Sequence, residues 1–124
     1  MQRLTVMKRS KRQVRDALLR ALKLIENEEN FTSYDNAQNA KGERVSIGDS
    51  QAVKWSLTAA VTLGSVDAPA TWGTDYTLEK QAVNKLNKYL KYPVWSNRNE
   101  HAEVVRGLIY ATMDLTRKIE SNKE

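Results

Sequence analysis

No cysteine and a single histidine occur in the 124 residues of this chain. Those two scarcities exclude a disulfide framework, a thiolate nucleophile and any cysteine-based zinc site. A zincin helix needs two histidines, and His101 has no second to work with. His101-Ala102-Glu103 reads H-x-E, the opening of a zinc deaminase signature, but that site is completed by P-C-x-x-C, which a cysteine-free chain lacks. Phosphate-cradling loops and the G-x-S-x-G elbow are missing as well. Neither a cofactor nor a metal is expected, and no catalytic residue is assigned. No apolar run approaches the roughly 20 residues of a membrane span, and the Met1 end has no signal-peptide core. The expected setting is cytoplasmic, so the sequon Asn30-Phe31-Thr32 carries no weight.

What is present is globular. With 40% apolar and 28% charged residues in 14.1 kDa, the chain is expected to fold as one domain with one core. The net charge of +5 is unevenly spread. Residues 1–23 carry Arg3, Lys8, Arg9, Lys11, Arg12, Arg15, Arg20 and Lys23 against one acid, Asp16. The basicity therefore belongs to the N-terminus rather than to the folded body. Such a patch suits nucleic acid, an acidic partner or plain solvent. For the first two, the contact residues would be Arg3, Lys8, Arg9, Lys11, Arg12 and Arg15, with binding that weakens in salt. Against nucleic acid, there is no helix-turn-helix spacing and no aromatic ribonucleoprotein motif.

Periodicity predicts a mainly α, compact four-helix domain with a short β-hairpin or ordered loop between helices 1 and 2. A basic arm (1–9) precedes the single helical domain (10–120), and a charged tail (121–124) follows it. Ser10 and Gln13 have capping-box spacing, and Val14, Leu18, Leu22 and Ile25 make the buried face of helix 1. Ala37–Asn39 and Arg44–Ile47 are the expected hairpin arms, with Gly42 in the turn. Asp49 or Ser50 is expected to cap helix 2, whose Ala59 and Ala60 would let a neighbour approach and make it the central helix. The stretch 64–75, containing Trp72, reads as a long loop. Thr77 is the expected cap of helix 3, whose apolar face is Leu78, Ala82, Leu86, Tyr89 and Leu90.

The longest helical pattern follows an aromatic, proline-broken corner, Tyr92-Pro93-Val94-Trp95-Ser96-Asn97. Val104, Leu108, Ala111, Leu115 and Ile119 lay one apolar stripe along helix 4. Ser96, Asn97 and Asn99 are candidate caps, and Trp95 is expected to hold the helix entry. Trp55 and Trp95 are expected to pack near one another and, with Asn97, His101 and Glu103, to form a ligand or partner surface.

Three of these segments resemble an uncharacterised family of small phage and bacterial proteins, notably actinobacterial. Helix 1, ending in Leu24-Ile25-Glu26, is followed by Phe31, Ala37, Asn39, Gly42 and Val45, where the family has an aromatic, an alanine, an aspartate and a glycine in order. Ala52 to Ala60 is similar to the family's A-x-x-W-C-x-x-G-A stretch. Trp95-Ser96-Asn97 with His101-Ala102-Glu103-Val104 looks like its W-N-D turn and T-x-A-E-V helix start. Ser56 stands where the family has cysteine, Asn39 where it has aspartate and Glu100 where it has the capping threonine. Those departures argue against an activity that needs the thiol or that carboxylate. The resemblance implies a phage or mobile-element setting and brings no biochemical activity with it.

Together these readings lead to a non-enzymatic binding protein, phage-encoded, engaging a host macromolecule or an acidic ligand, with interference in a host process or defence system as its role. Three alternatives stay open: a nucleic-acid-binding accessory protein, a virion or assembly component that homo-oligomerises, and a hydrolase or transferase using His101 and Glu103.

Overall fold

Ser10 starts the first helix as its side chain and that of Gln13 predict. The Gln13 N–H donates to Ser10 Oγ at 3.1 Å, and the Ser10 N–H donates to Gln13 Oε1 at 2.9 Å. In this computed structural model, which describes residues 8–66 and 74–121, helix α1 then runs Lys11–Ile25. Arg3, Trp72 and most of the basic arm lie outside the described residues, as does the charged tail beyond Ser121.

Four α-helices and one small antiparallel sheet make up the described fold, which is mainly α. After α1 come a 3-10 turn (Glu28–Asn30), strands β1 (Ala37–Gln38) and β2 (Lys54–Trp55), and helices α2 (Leu57–Gly64), α3 (Tyr76–Asn87) and α4 (His101–Glu120). The central helix is α1, not α2 as the sequence suggested. It buries Val14, Ala17, Leu18, Ala21 and Ile25 and packs against α2, α3 and α4, an arc too broad for the eight residues of α2. The apolar stripe of α4 is buried at each predicted position, from Val104 to Ile119. No described helix is long and apolar enough to cross a membrane.

The hairpin differs in its partner. β1 pairs with β2, placing Ala37 opposite Trp55 and Gln38 opposite Lys54. The expected second arm survives only as a bridge from Gln38 to Arg44, closed through Gly42 at φ 81°. The same pairing explains why helix 2 starts late. Val53 and Ser56 donate their backbone N–H groups to Gln38 and Asn36 across the sheet, so they cannot enter a helix. Asp49 accepts from the Gln51 N–H in a local turn, and Ser56 instead caps α2 through the Ala59 N–H.

Asp75, rather than Thr77, caps α3. Its carboxylate accepts from the Leu78 N–H at 3.1 Å and from Arg9 Nε at 2.7 Å, and these contacts, Arg9 foremost, hold it below the usual carboxylate range. Gln81 completes the clamp by bonding both the N–H and the carbonyl of Arg9, so the end of the basic arm is fastened to α3.

Between α3 and α4, Asp114 gathers Lys85, Lys118 (3.2 Å) and Arg117 (3.5 Å). The Lys85 hydrogen bond is the main reason its carboxyl is lowered to about 2. Lys85 itself falls below the ordinary lysine value because burial outweighs the pull of Asp114. A carboxyl depressed in the fold contributes stability above its unfolded value and loses it on acidification. Stability is therefore expected to decline by about 2 kcal/mol as the pH falls from roughly 4 to roughly 2; the cost of burying Lys85, which stays protonated across that range, lowers the whole curve without changing its slope. Urea midpoints across that range should show this slope, and Asp114→Asn should flatten it.

Candidate functional site

A cleft of about 490 Å³ opens where the segment after α1, the start of α2 and the aromatic corner meet. Each wall is tied down by the chain that leads into it. The Thr32 N–H donates to the Trp55 carbonyl, and Asp35 accepts from Gln38 Nε2 (2.7 Å) and Arg44 Nε (2.9 Å). The Gln38 hydrogen bond, then Arg44, holds the Asp35 carboxyl below its ordinary value. On the facing wall, Val94 is buried in the core, its N–H donates to Asn87 Oδ1 (2.9 Å), and its carbonyl accepts from the Thr58 hydroxyl (3.4 Å). Ser96 Oγ accepts from the Arg98 N–H, shaping the turn that follows.

Asn99 locks this corner. It is 3% exposed, and its Nδ2 donates to the carbonyls of Tyr92 (3.1 Å) and Pro93 (2.8 Å). Its Oδ1 is buried and has no hydrogen-bond partner among the described residues. None of the candidate caps of α4 acts as one: Glu100 occupies the N-cap position without a side-chain bond, because Asn99 is spent on the corner and Ser96 on Arg98.

The rims of the cleft carry its chemical character. Tyr34 is 86% exposed on one side and Trp95 76% exposed on the other. Trp95 therefore does not hold the helix entry; Val94 does. Trp55 does not share a wall with Trp95 either. It packs against the core from β2 with its indole N–H on the Ile47 carbonyl (3.3 Å), while its successors Ser56, Leu57 and Thr58 line the cleft. Arg98 also lines it and rests over the Tyr92 ring, 5.8 Å from the centroid. The lining offers π faces, hydroxyls, amides, the Asp35 carboxylate and one guanidinium, the parts of a recognition surface.

The remaining predicted site residues divide. Asn97 lines the cleft. His101 lies just outside it, in a neighbouring concavity that shares Phe31 and Ser33 with the cleft. Its ring is 5.3 Å from Phe31, and its Nε2–H donates to the Ile25 carbonyl at 2.7 Å, capping the end of α1. Glu103 faces Arg106 (4.0 Å) and lines a different hollow with Lys91 and Tyr92. The two are thus placed in separate contacts rather than as an acid–base couple. Among the described residues no group of three metal-ligating side chains gathers.

Of the basic set, Lys8, Arg9 and Lys11 line a separate groove, Arg12 and Arg15 do not, and Arg15 pairs with Asp16 (3.1 Å). Sequence reasoning missed Tyr34, Asn36, Thr58 and Arg98. An aromatic residue inside the polar run Thr32–Asn36 was the one available signal for the first of them.

Fold and site together define a small helical protein with a framed, aromatic-rimmed cleft. Comparison with family models, curated proteins and solved structures returns no match.

Proposed function

We propose that this is a non-enzymatic binding protein whose recognition surface is the cleft between Tyr34 and Trp95. It engages a host macromolecule or an acidic ligand in the cytoplasm of a bacterium, with interference in a host process or defence system as its role; the motif resemblance is what supports a phage-encoded origin. One observation carries the reading: two large aromatic side chains stay more than three-quarters exposed on the rims of a cleft whose walls are fixed by hydrogen bonds. Folding leaves that apolar area unused, and rigid aromatics on a preformed concavity are the residue type that dominates binding energy. Among the described residues the cleft has one cation, Arg98, which rests on the Tyr92 ring, and one carboxylate, Asp35, which is already engaged by Gln38 and Arg44. The charge left for a ligand therefore favours an acidic occupant. A hydrolase or transferase reading through His101 and Glu103 has less support, since His101 is occupied by α1 and Glu103 by Arg106.

Affinity capture from nuclease-treated host lysate, repeated with Trp95→Ala and Tyr34→Ala, tests the proposal. Neither side chain supports the core, so both variants should melt with the wild type. The captured partner should bind each at least tenfold more weakly, the loss expected for a central aromatic. Undiminished capture by both variants would remove the cleft from the account. A second reading, self-association as in a virion component, draws on the outward face of α4, where Ile109, Tyr110 and Met113 are exposed. A monomer by light scattering at high concentration would end it.

A further inference from the structure

We propose a second site, in the groove between the start of α1, α3 and the last turns of α4, that binds the phosphate backbone of duplex nucleic acid without regard to sequence. The groove measures about 700 Å³ and brings together Lys8, Arg9, Lys11, Lys85, Lys88 and Lys118. Among the described residues two carboxylates answer these six cations: Asp75 pairs with Arg9, and Asp114 with Lys85 and Lys118. Lys8, Lys11 and Lys88 have no ion pair among the described residues. The charge is therefore left over by the fold rather than consumed by it.

Where those cations sit matters as much as their number. The first turn of α1 contains no acid and begins Lys11-Arg12. Positive charge at a helix N-terminus opposes the helix dipole, which favours an anion there. A phosphate seated against Ser10 and Lys11 would satisfy the dipole and the lysine together.

The rest of the lining selects the kind of anion. Lysine is a point charge on a flexible stem and follows phosphates without the bidentate geometry that reads a base or a single carboxylate. Among the described residues no aromatic side chain lines the groove, whose apolar portion is Val14 and Leu115. None of these side chains can stack an unpaired base, which is how single strands are held. A duplex, with its bases already stacked and its phosphates outward, asks only for the charges the groove has. This site is separate from the cleft. The groove lies at the start of α1, whereas the cleft is formed in part by the segment that follows its end.

The test is fluorescence anisotropy of the full chain with two 20-base-pair duplexes of unrelated sequence and with one of their single strands, from 50 to 200 mM salt. The two duplexes should bind alike and more tightly than the single strand. With three lysines each neutralising a phosphate, log K should fall against log salt with a slope of about −2.7, roughly a 40-fold loss over that range. The double variant Lys11→Glu/Lys88→Glu should weaken binding at least tenfold and flatten the slope to about −1. Lys23→Glu/Lys41→Glu, with the same change in net charge at exposed positions outside the groove, should bind like the wild type; circular dichroism melts confirm that both variants fold. The proposal is overturned by absence of duplex binding at 50 mM salt, by equal losses in the two double variants, or by tighter binding to the single strand. Binding of polyglutamate in place of duplex would overturn it too and assign the groove to an acidic protein.

Discussion

Gly64→Ala is expected to destabilise the protein by about 2–3 kcal/mol, although alanine is ordinarily favoured over glycine in a helix by about 1 kcal/mol. Gly64 is the last residue of α2, and it is where α2 meets α1 most closely. A Cβ there would lie 2.5 Å from the Ala17 carbonyl oxygen and 3.1 Å from the Ala21 nitrogen. Both are backbone atoms of the central helix, so neither can rotate away; the helices have to separate. Separation also pulls the Gly64 carbonyl from Arg20 Nε (2.8 Å), a contact that closes the C-terminal end of α2 with positive charge. The melting temperature should fall by roughly 10–15 °C. Gly107→Ala is the control. Its Cβ would meet Leu90 Cδ2 at 2.7 Å and the Tyr89 carbonyl at 3.2 Å, and a leucine side chain outside a helix can yield. That variant should stay within about 1 kcal/mol of the wild type. Two variants that melted together would show that the α1–α2 contact is not set by glycine.

Asn99→Asp should cost about 3 kcal/mol at neutral pH, from an exchange of one NH₂ group for one oxygen. The lost group is the donor that holds the Tyr92 and Pro93 carbonyls together. A carboxylate in its place would set a buried charge against two carbonyl oxygens, and a protonated carboxyl could serve only one of them. The sign of the pH dependence follows. The substituted carboxyl keeps its proton to a higher pH in the fold than in the unfolded chain, where it titrates near 4. The charge-dependent part of the deficit is therefore absent below about pH 4 and grows as the pH rises. Denaturant melts of wild type and variant should converge on acidification. Parallel curves from pH 4 to pH 8 would mean that the corner does not depend on this donor. Since the corner presents Trp95, the variant should also lose the partner captured through the cleft.

The sequence carried its helices openly. Ser10 with Gln13 fixed the start of α1, and the four-three spacing from Val104 to Ile119 gave the buried face of α4, because capping and periodicity act within a few residues. The binding surfaces were far less legible. Trp95 reads as a core anchor until the buried position of its neighbour Val94 turns it outward, and Tyr34 reads as part of a polar loop until the corner arrives opposite. Helix 2 was misplaced for a related reason: whether Val53 and Ser56 donate to a helix or a sheet is decided by the carbonyls of Gln38 and Asn36, some fifteen to twenty residues away. The groove shows the same limit, since its cations come from the start of α1, from α3 and from the end of α4. Local rules act through atoms a turn apart, so residue order alone gave a mainly helical fold, the start of α1 and the buried face of α4. Which side chains were left exposed, and beside what, depended on contacts such as Arg9 with Asp75, 66 residues apart in the chain, and those exist only once the helices have packed.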